Sequence, residues 1–431
     1  MRPFVVGTSR ESLTSPRKLL ALCLMALALA LALATALPSG CGSSEEPTAL
    51  IVRDSLGVQI LEFDAAAVPR STLIADEPDQ VVGEGTSPVD VGPLFRVVDA
   101  ITAGEDRLVV AEASTQELIF ADLTTGEVQR AGGSGDGPAE FRSLSTLIHD
   151  DGGFIGAFDA NRRRYVRLDR EGAFVSAESL PDLGHPGTGV RLVGGPAGAR
   201  YVAVITALPP PEIRGLHRGT APVVRWEGRS VDTLTLVQGR STFRSDRTLG
   251  GVVFGATTLV ASDGRGIWIG DTDVPQATWW TEDDTVGRIV RWRTAGPREV
   301  TEDRIEEFLN RYLDEFPGEG QPGIEELRSL LQFSERLPAF GSLLAGPGGE
   351  VWIGSPIPPE AEWLEDPWPE QEWLVVDPEV PSVTRTVSPA GVRLLRVAAD
   401  HVLGVHRDPL GAETVRRYPR VGDGVRWSVP P

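Results

Sequence analysis

A repeat constrains this chain more than any other feature. Short apolar runs that close on a polar residue recur at 108–112 (LVVAE), 154–159 (FIGAFD), 201–206 (YVAVIT), 266–271 (GIWIGD), 351–355 (VWIGS) and 402–406 (VLGVH). From Glu112 to Asp159 is 47 residues and from Asp159 to Thr206 is 47 again; the later intervals are 65, 84 and 51. Most runs follow a turn such as Asp151-Gly152-Gly153 or Asp263-Gly264. After each of the first two runs comes a second apolar strand (117–121, 165–168), then an Asp/Gly turn, then a third strand. A unit near 47 residues with about four strands is the size of one β-propeller blade. Six copies predict an all-β fold, a six-bladed β-propeller, with Glu112, Asp159 and Asp271 ending inner strands.

The composition agrees with many short strands joined by turns: 48 glycines and 34 prolines punctuate the 431 residues. A chain of this size exceeds the usual single core unless the architecture is a repeat. The net charge of −20 disfavours nucleic acid, whose phosphates need clustered cations, and an electrostatic hold on anionic lipid.

Arg10, Arg17 and Lys18 precede an apolar stretch over 19–37, and Leu37-Pro38-Ser39-Gly40-Cys41-Gly42-Ser43-Ser44 ends it. This run resembles the lipobox of bacterial lipoproteins, in which a small residue (here Gly40) precedes the cut and the cysteine (here Cys41) carries the lipid. Pro38 stands where that family usually has leucine. Cleavage after Ala34-Thr35-Ala36 and an uncleaved membrane anchor therefore stay open as alternatives. The lipobox reading implies a signal over 1–40, a tether over 41–49 and a folded domain over 50–431, held at the outer membrane or periplasmic face of a bacterial envelope. Cys23 leaves with the signal, so the mature domain has no internal disulfide and is stable by packing alone.

Between the first two units lies Gly132-Gly133-Ser134-Gly135-Asp136-Gly137-Pro138-Ala139-Glu140-Phe141. It lacks the Lys-Ser/Thr of a phosphate loop, and a strand rather than a helix should follow it. With 52–58 (VRDSLGV) and the closing stretch 391–418, it resembles bacterial six-bladed β-propeller proteins related to NHL repeats, with Ala139 in place of a usual glycine. The resemblance covers nearly all of the mature chain and implies a fold, not an activity. Phe141 is expected to wedge between neighbouring sheets, and a strand from 50–62 is expected to close the ring by pairing into the last blade.

The 84-residue interval carries a helical insertion over 301–336, between blades four and five. Thr301 can cap a helix with Ile305, Phe308, Leu309, Tyr312 and Leu313 on one face, and a second helix carries Ile324, Leu327 and Leu330.

Motifs for chemistry are sparse. The five histidines have no paired ligand spacing, and neither HExxH nor Gly-x-Ser-x-Gly occurs. Some six-bladed propellers are lactonases that hold a divalent ion on the ring axis. By that resemblance Glu112, Asp159, Asn161 and Asp271 form an alternative calcium or zinc site, although such residues more often cap strands and turns. Arg162, Arg163 and Arg164 interrupt the acidic background as a candidate anion or partner contact. Trp279 and Trp280, and Trp363, Trp368 and Trp373, are read as loop tryptophans that recognise a partner. Trp226, Trp268, Trp292 and Trp352 sit in strand-like runs and are expected in the core. The leading reading is a monomeric, non-catalytic binding or scaffold module, without a cofactor, for an envelope protein or carbohydrate. The rival is a metal-dependent, lactonase-like hydrolase or lyase using the central channel.

Overall fold

The computed structural model of the chain describes residues 50–85, 89–183, 189–195, 199–206, 209, 211–246, 248–315, 323–362 and 367–422. Gly40, Cys41 and Trp363 lie outside the described residues. The fold is all-β and propeller-like. The described residues form seven sheets: six are built on an antiparallel meander of consecutive strands, and a small seventh pairs Gly215–His217, Thr242–Arg244 and Leu249–Gly251. The first holds Val97–Thr102, Arg107–Glu112, Glu117–Asp122 and Val128–Gly132. The second holds Leu144–Asp150, Phe154–Asp159, Arg164–Leu168 and Phe174–Ser179. The third begins at Gly189–Gly194, the fourth at Thr258–Ser262, the fifth at Ser342–Ala345 and the sixth at Val392–Val397.

These six opening strands touch each other in cyclic order and surround a central channel. Buried apolar clusters fill the space between neighbours. Phe120, Phe141 and Leu147 join sheets one and two; Tyr165, Leu192 and Trp226 join two and three. Trp268, Phe340 and Val376 join four and five, and Trp352, Trp373 and Tyr418 join five and six. Val97, Val110, Leu403 and Val415 then join the sixth sheet to the first. Trp226, Trp268, Trp292 and Trp352 are all core residues, and the fully buried Phe141 is the wedge between sheets one and two.

Two sequence expectations change. The six recognised runs are the second strand of each sheet, not the innermost. A second strand is covered on both faces, so it reads as unbroken apolar sequence; an innermost strand turns one face to the channel and its pattern is interrupted. The closing strand is also not within 50–62. Ile51–Ser55 and Val58–Asp64 form a hairpin whose second strand runs parallel to the outer strand Val286–Arg293 of the fourth sheet. The chain then crosses the fifth sheet, where Ser71 N–H donates to the Arg385 carbonyl at 2.9 Å. It reaches the sixth sheet at Gln80–Gly83, which pairs antiparallel with Glu413–Pro419. Among the described residues the sixth sheet has three strands of its own, and the beginning of the domain adds Gln80–Gly83 and, parallel to it at the edge, Val89–Asp90.

Two helices, α1 (Glu302–Glu315) and α2 (Ile324–Leu330), lie between the fourth and fifth sheets in sequence. Thr301 accepts the Arg304 amide at the start of α1. Ile305, Phe308 and Leu309 pack with Leu327 and with Phe254, which precedes the fourth sheet. Among the described residues, no helix is long and apolar enough to cross a membrane.

Val82 is fully buried in the closing strand, whereas Leu56 is fully exposed at the tip of the N-terminal hairpin. Val82→Asp places an unpaired charge in the joint between the last and first sheets. It is expected to cost about 3 kcal/mol or more. Leu56→Ser is expected to leave the denaturant midpoint unchanged, and urea unfolding of the two variants checks both.

Candidate functional site

The carboxylates at the ends of the second strands do structural work. Glu112 is buried. Its Oε1 accepts the amides of Phe95 and Arg96 at 3.2 and 2.8 Å. Its Oε2 accepts the amides of Ser114 and Thr115, both at 2.8 Å, and the Ser114 hydroxyl at 2.7 Å. Burial alone would raise its pKa, but these donors outweigh burial and hold it below the ordinary glutamate value. Asp159 repeats the arrangement one sheet on, accepting the amides of Arg142 at 2.8 Å and Arg162 at 3.0 Å. Asp271 accepts Arg218 Nη2 at 2.5 Å and the Asp273 amide at 3.0 Å. Asn161 is exposed on the turn after Asp159. The four residues do not converge. Each carboxylate closes a turn in a different sheet, and among the described residues no group of three or more His, Cys, Asp or Glu is placed to hold a metal.

The other sequence candidates are also largely structural. Arg162 pairs with Asp136 at 3.0 Å, and Arg164 donates to the carbonyls of Gly137 and Glu140. The arginine run thus ties the second sheet to the glycine-rich junction, with Arg163 at the positive-φ position of the turn (φ +49°). Trp279 and Trp280 lie on the strand Gln276–Thr281, not in a loop. Trp279 packs toward the fifth sheet, with the Arg288 guanidinium 4.6 Å from its ring, and Trp280 packs toward the third. Trp368 is buried with the Arg407 guanidinium 3.7 Å above it, and Trp373 is fully buried against Trp352. These rings fill gaps between sheets, where a large flat side chain gains most from burial.

The centre of the ring collects what the sequence did not reveal. A cavity of about 320 Å³ opens where the innermost strands end, and all six sheets contribute to its wall. His149, Arg396 and His401 line it together with small residues such as Ala345 and Ala399. Arg396, from the sixth sheet, reaches Asp99 of the first: Nε–Oδ1 is 3.0 Å and Nη2–Oδ2 is 2.5 Å. Asp99 also accepts the Leu147 amide of the second sheet at 2.9 Å. One carboxylate therefore ties three sheets at the axis.

Arg191 stands on the third sheet's inner strand, deeper than the mouth residues Gly194 and Gly195. It is exposed between the buried Val190 and Leu192, and the charges of Asp99 and Arg396, from the first and sixth sheets, act on its guanidinium. Depth in the protein lowers its pKa, Asp99 raises it and Arg396 lowers it further. His149 is held below the ordinary imidazole value first by burial and then by Arg396. Both side chains present open surface to the channel while the ring encloses them. A sequence signal existed: each of VVDAIT, TLIHD, GVRLVG and VRLLRV is an apolar run broken by polar residues, as expected when one face meets a channel.

No family model matches the chain, and no curated protein matches it. Among solved structures, an exported protein from Bacteroides fragilis is 10% identical, over 84% of this chain and 100% of that one, with a TM-score of 0.47. A member of the DUF4221 family from Bacteroides vulgatus is 9% identical, over 82% and 100%, with a TM-score of 0.47. A gluconolactonase from Xanthomonas campestris is 11% identical, over 81% and 100%, with a TM-score of 0.38.

Because its folded pKa is depressed, Glu112 stabilises the fold fully above the ordinary glutamate pKa. That contribution is lost as pH falls from there through the folded value. Glu112→Gln is expected to lower stability at neutral pH by about 2 kcal/mol, on the scale of charged hydrogen bonds to buried groups. It is also expected to flatten the acid limb of a Tm-against-pH curve, which differential scanning calorimetry from pH 3 to 7 measures.

Proposed function

We propose that this chain is a six-bladed β-propeller of the kind related to NHL repeats, lipidated at Cys41 and held at the bacterial envelope outside the cytoplasm. It serves as a non-catalytic binding module whose ligand, of carbohydrate size, seats at the mouth of the central channel. Six sheets in cyclic contact, closed by the N-terminal strand, support the blade count. The single observation that carries the function is the distribution of charged groups. Carboxylates that could have formed a metal centre are bound to turn amides, whereas the mouth of the channel opens into a cavity lined by His149 and Arg396. A cavity of about 320 Å³ falls in the range that holds a sugar-sized molecule. A metal-dependent lactonase is not favoured, since it would need Glu112, Asp159 and Asp271 in one place. The tryptophans of the fourth and fifth sheets are not the contact surface in this reading, because the described ones pack between sheets.

Two experiments test it. With added calcium or zinc, the purified chain is expected to turn over no aldonolactone. Turnover that disappears in Asp159→Asn, in a variant still folded, would overturn the binding reading. Cys41→Ser is expected to abolish incorporation of labelled palmitate and move the protein from the membrane to the soluble fraction, as fractionation and fluorography would show. Labelling that persists in that variant would place the anchor elsewhere.

A further inference from the structure

The chain as a whole is strongly acidic, yet its channel holds two guanidinium groups and one carboxylate. Asp99 is committed to Arg396. Arg396 spends Nε and Nη2 on Asp99 and on the Leu147 carbonyl, and among the described residues its Nη1 is left unbonded. Arg191, exposed on the innermost strand of the third sheet, makes no hydrogen bond or ion pair among the described residues, although the charges of both of those groups act on it. His149 has no partner among the described residues and lines the same cavity as Arg396. The remaining acid in the wall, Asp263, is turned away: its carboxylate is fully buried and one oxygen accepts the amides of Arg265 and Gly266 at 2.9 and 2.8 Å. Asp400 is outside, largely exposed, and pairs with His401 at 2.7 Å.

We infer that the channel is an anion site. A small molecule bearing a carboxylate or phosphate enters at the mouth and places its oxyanion between Arg191 and Arg396, with the His149 ring as a further donor. A guanidinium offers five N–H donors in a fork that matches either oxyanion, and enclosure by the ring strengthens such a contact over its value in water. An arginine exposed on the innermost strand with no partner among the described residues leaves that fork free. The inference rests on the binding-module reading and adds the chemistry of the ligand: an acidic or phosphorylated sugar rather than a neutral one.

The test is calorimetric titration of the full chain in detergent with glucuronate, glucose 1-phosphate, glucose and inorganic phosphate. The two anionic sugars are expected to bind, phosphate to compete with both, and glucose not to bind. Removing one charge-assisted contact in Arg191→Met should weaken the anionic sugars about tenfold or more. Its melting temperature should not fall, because a repelling cation beside Arg396 has gone. Arg191→Lys, which keeps the charge and loses the fork, should bind with intermediate affinity; it also serves if the methionine variant fails to fold. Equal binding of glucose and glucose 1-phosphate, wild-type affinity in folded Arg191→Met or Arg191→Lys, or no anion bound at all would each overturn the inference. Equal binding of the neutral sugar would leave the binding-module reading standing. Lactone turnover would sink that reading while leaving the anion titration interpretable.

Discussion

Everything in this fold depends on the joint between the last sheet and the first. Five of the six interfaces lie between sheets that are neighbours in the chain; only this one joins its far ends. The joint is correspondingly reinforced. Glu413 accepts the Val97 amide at 2.7 Å while Arg407 binds its other oxygen, and Arg393 donates to the Val97 carbonyl at 2.9 Å. Asp99 and Arg396 add an ion pair at the axis, and Val82 with Val89 and Val415 supplies a dry core. Burial raises the pKa of Glu413, opposed by the Val97 amide and by Arg407 and Arg393. A buried ion pair of this kind contributes less by Coulomb attraction than by fixing one register, since breaking it strands a charge. Without the joint, the cavity would lose the Asp99–Arg396 pair that shapes its wall.

Acids and bases divide their labour by position. At the turns, carboxylates meet clustered backbone amides, which are fixed donors, and every lone pair so used is lost to a ligand. At the axis the innermost strands are paired only on their outer side, and side chains meet their inward groups, as Asp99 and Arg396 meet the amide and carbonyl of Leu147. A charged side chain there meets either another sheet's side chain, as Asp99 does, or the channel, as Arg191 does. Residue type alone therefore misleads: Glu112 and Asp159 look like ligands and are brackets, while Arg191 looks like surface and lies at the centre.

The second strand of every sheet was legible in the sequence, because burial on both faces leaves runs such as LVVAE and FIGAFD. So were Phe141 and the tryptophans of the core runs, whose size demands burial. The innermost strands were hidden, because TLIHD and VRLLRV mix apolar and charged residues and resemble edge strands. The closing strand was hidden for another reason. QVVG at 80–83 is four residues long and its identity as a closure is set only by a partner more than 300 residues away. The more strand-like 58–64 claims attention instead, yet it docks on the fourth sheet. Trp279, Trp280, Trp368 and Trp373 were misplaced because Pro- and Glu-rich surroundings read as loop, while the rings themselves pack inward, Trp279 and Trp368 against arginine faces, Trp280 on an apolar cluster and Trp373 on Trp352.

The strap formed by residues 51–83 sets the order in which the chain can become stable. A ribosome delivers Val82 well before its partner Val415, and domains consolidate as units only when their contacts exist. The growing chain must therefore carry an unpaired apolar strand through the synthesis of five sheets. During that time its beginning has no site on the sixth sheet, so interception by a holding factor in transit would act on the segment that completes the ring.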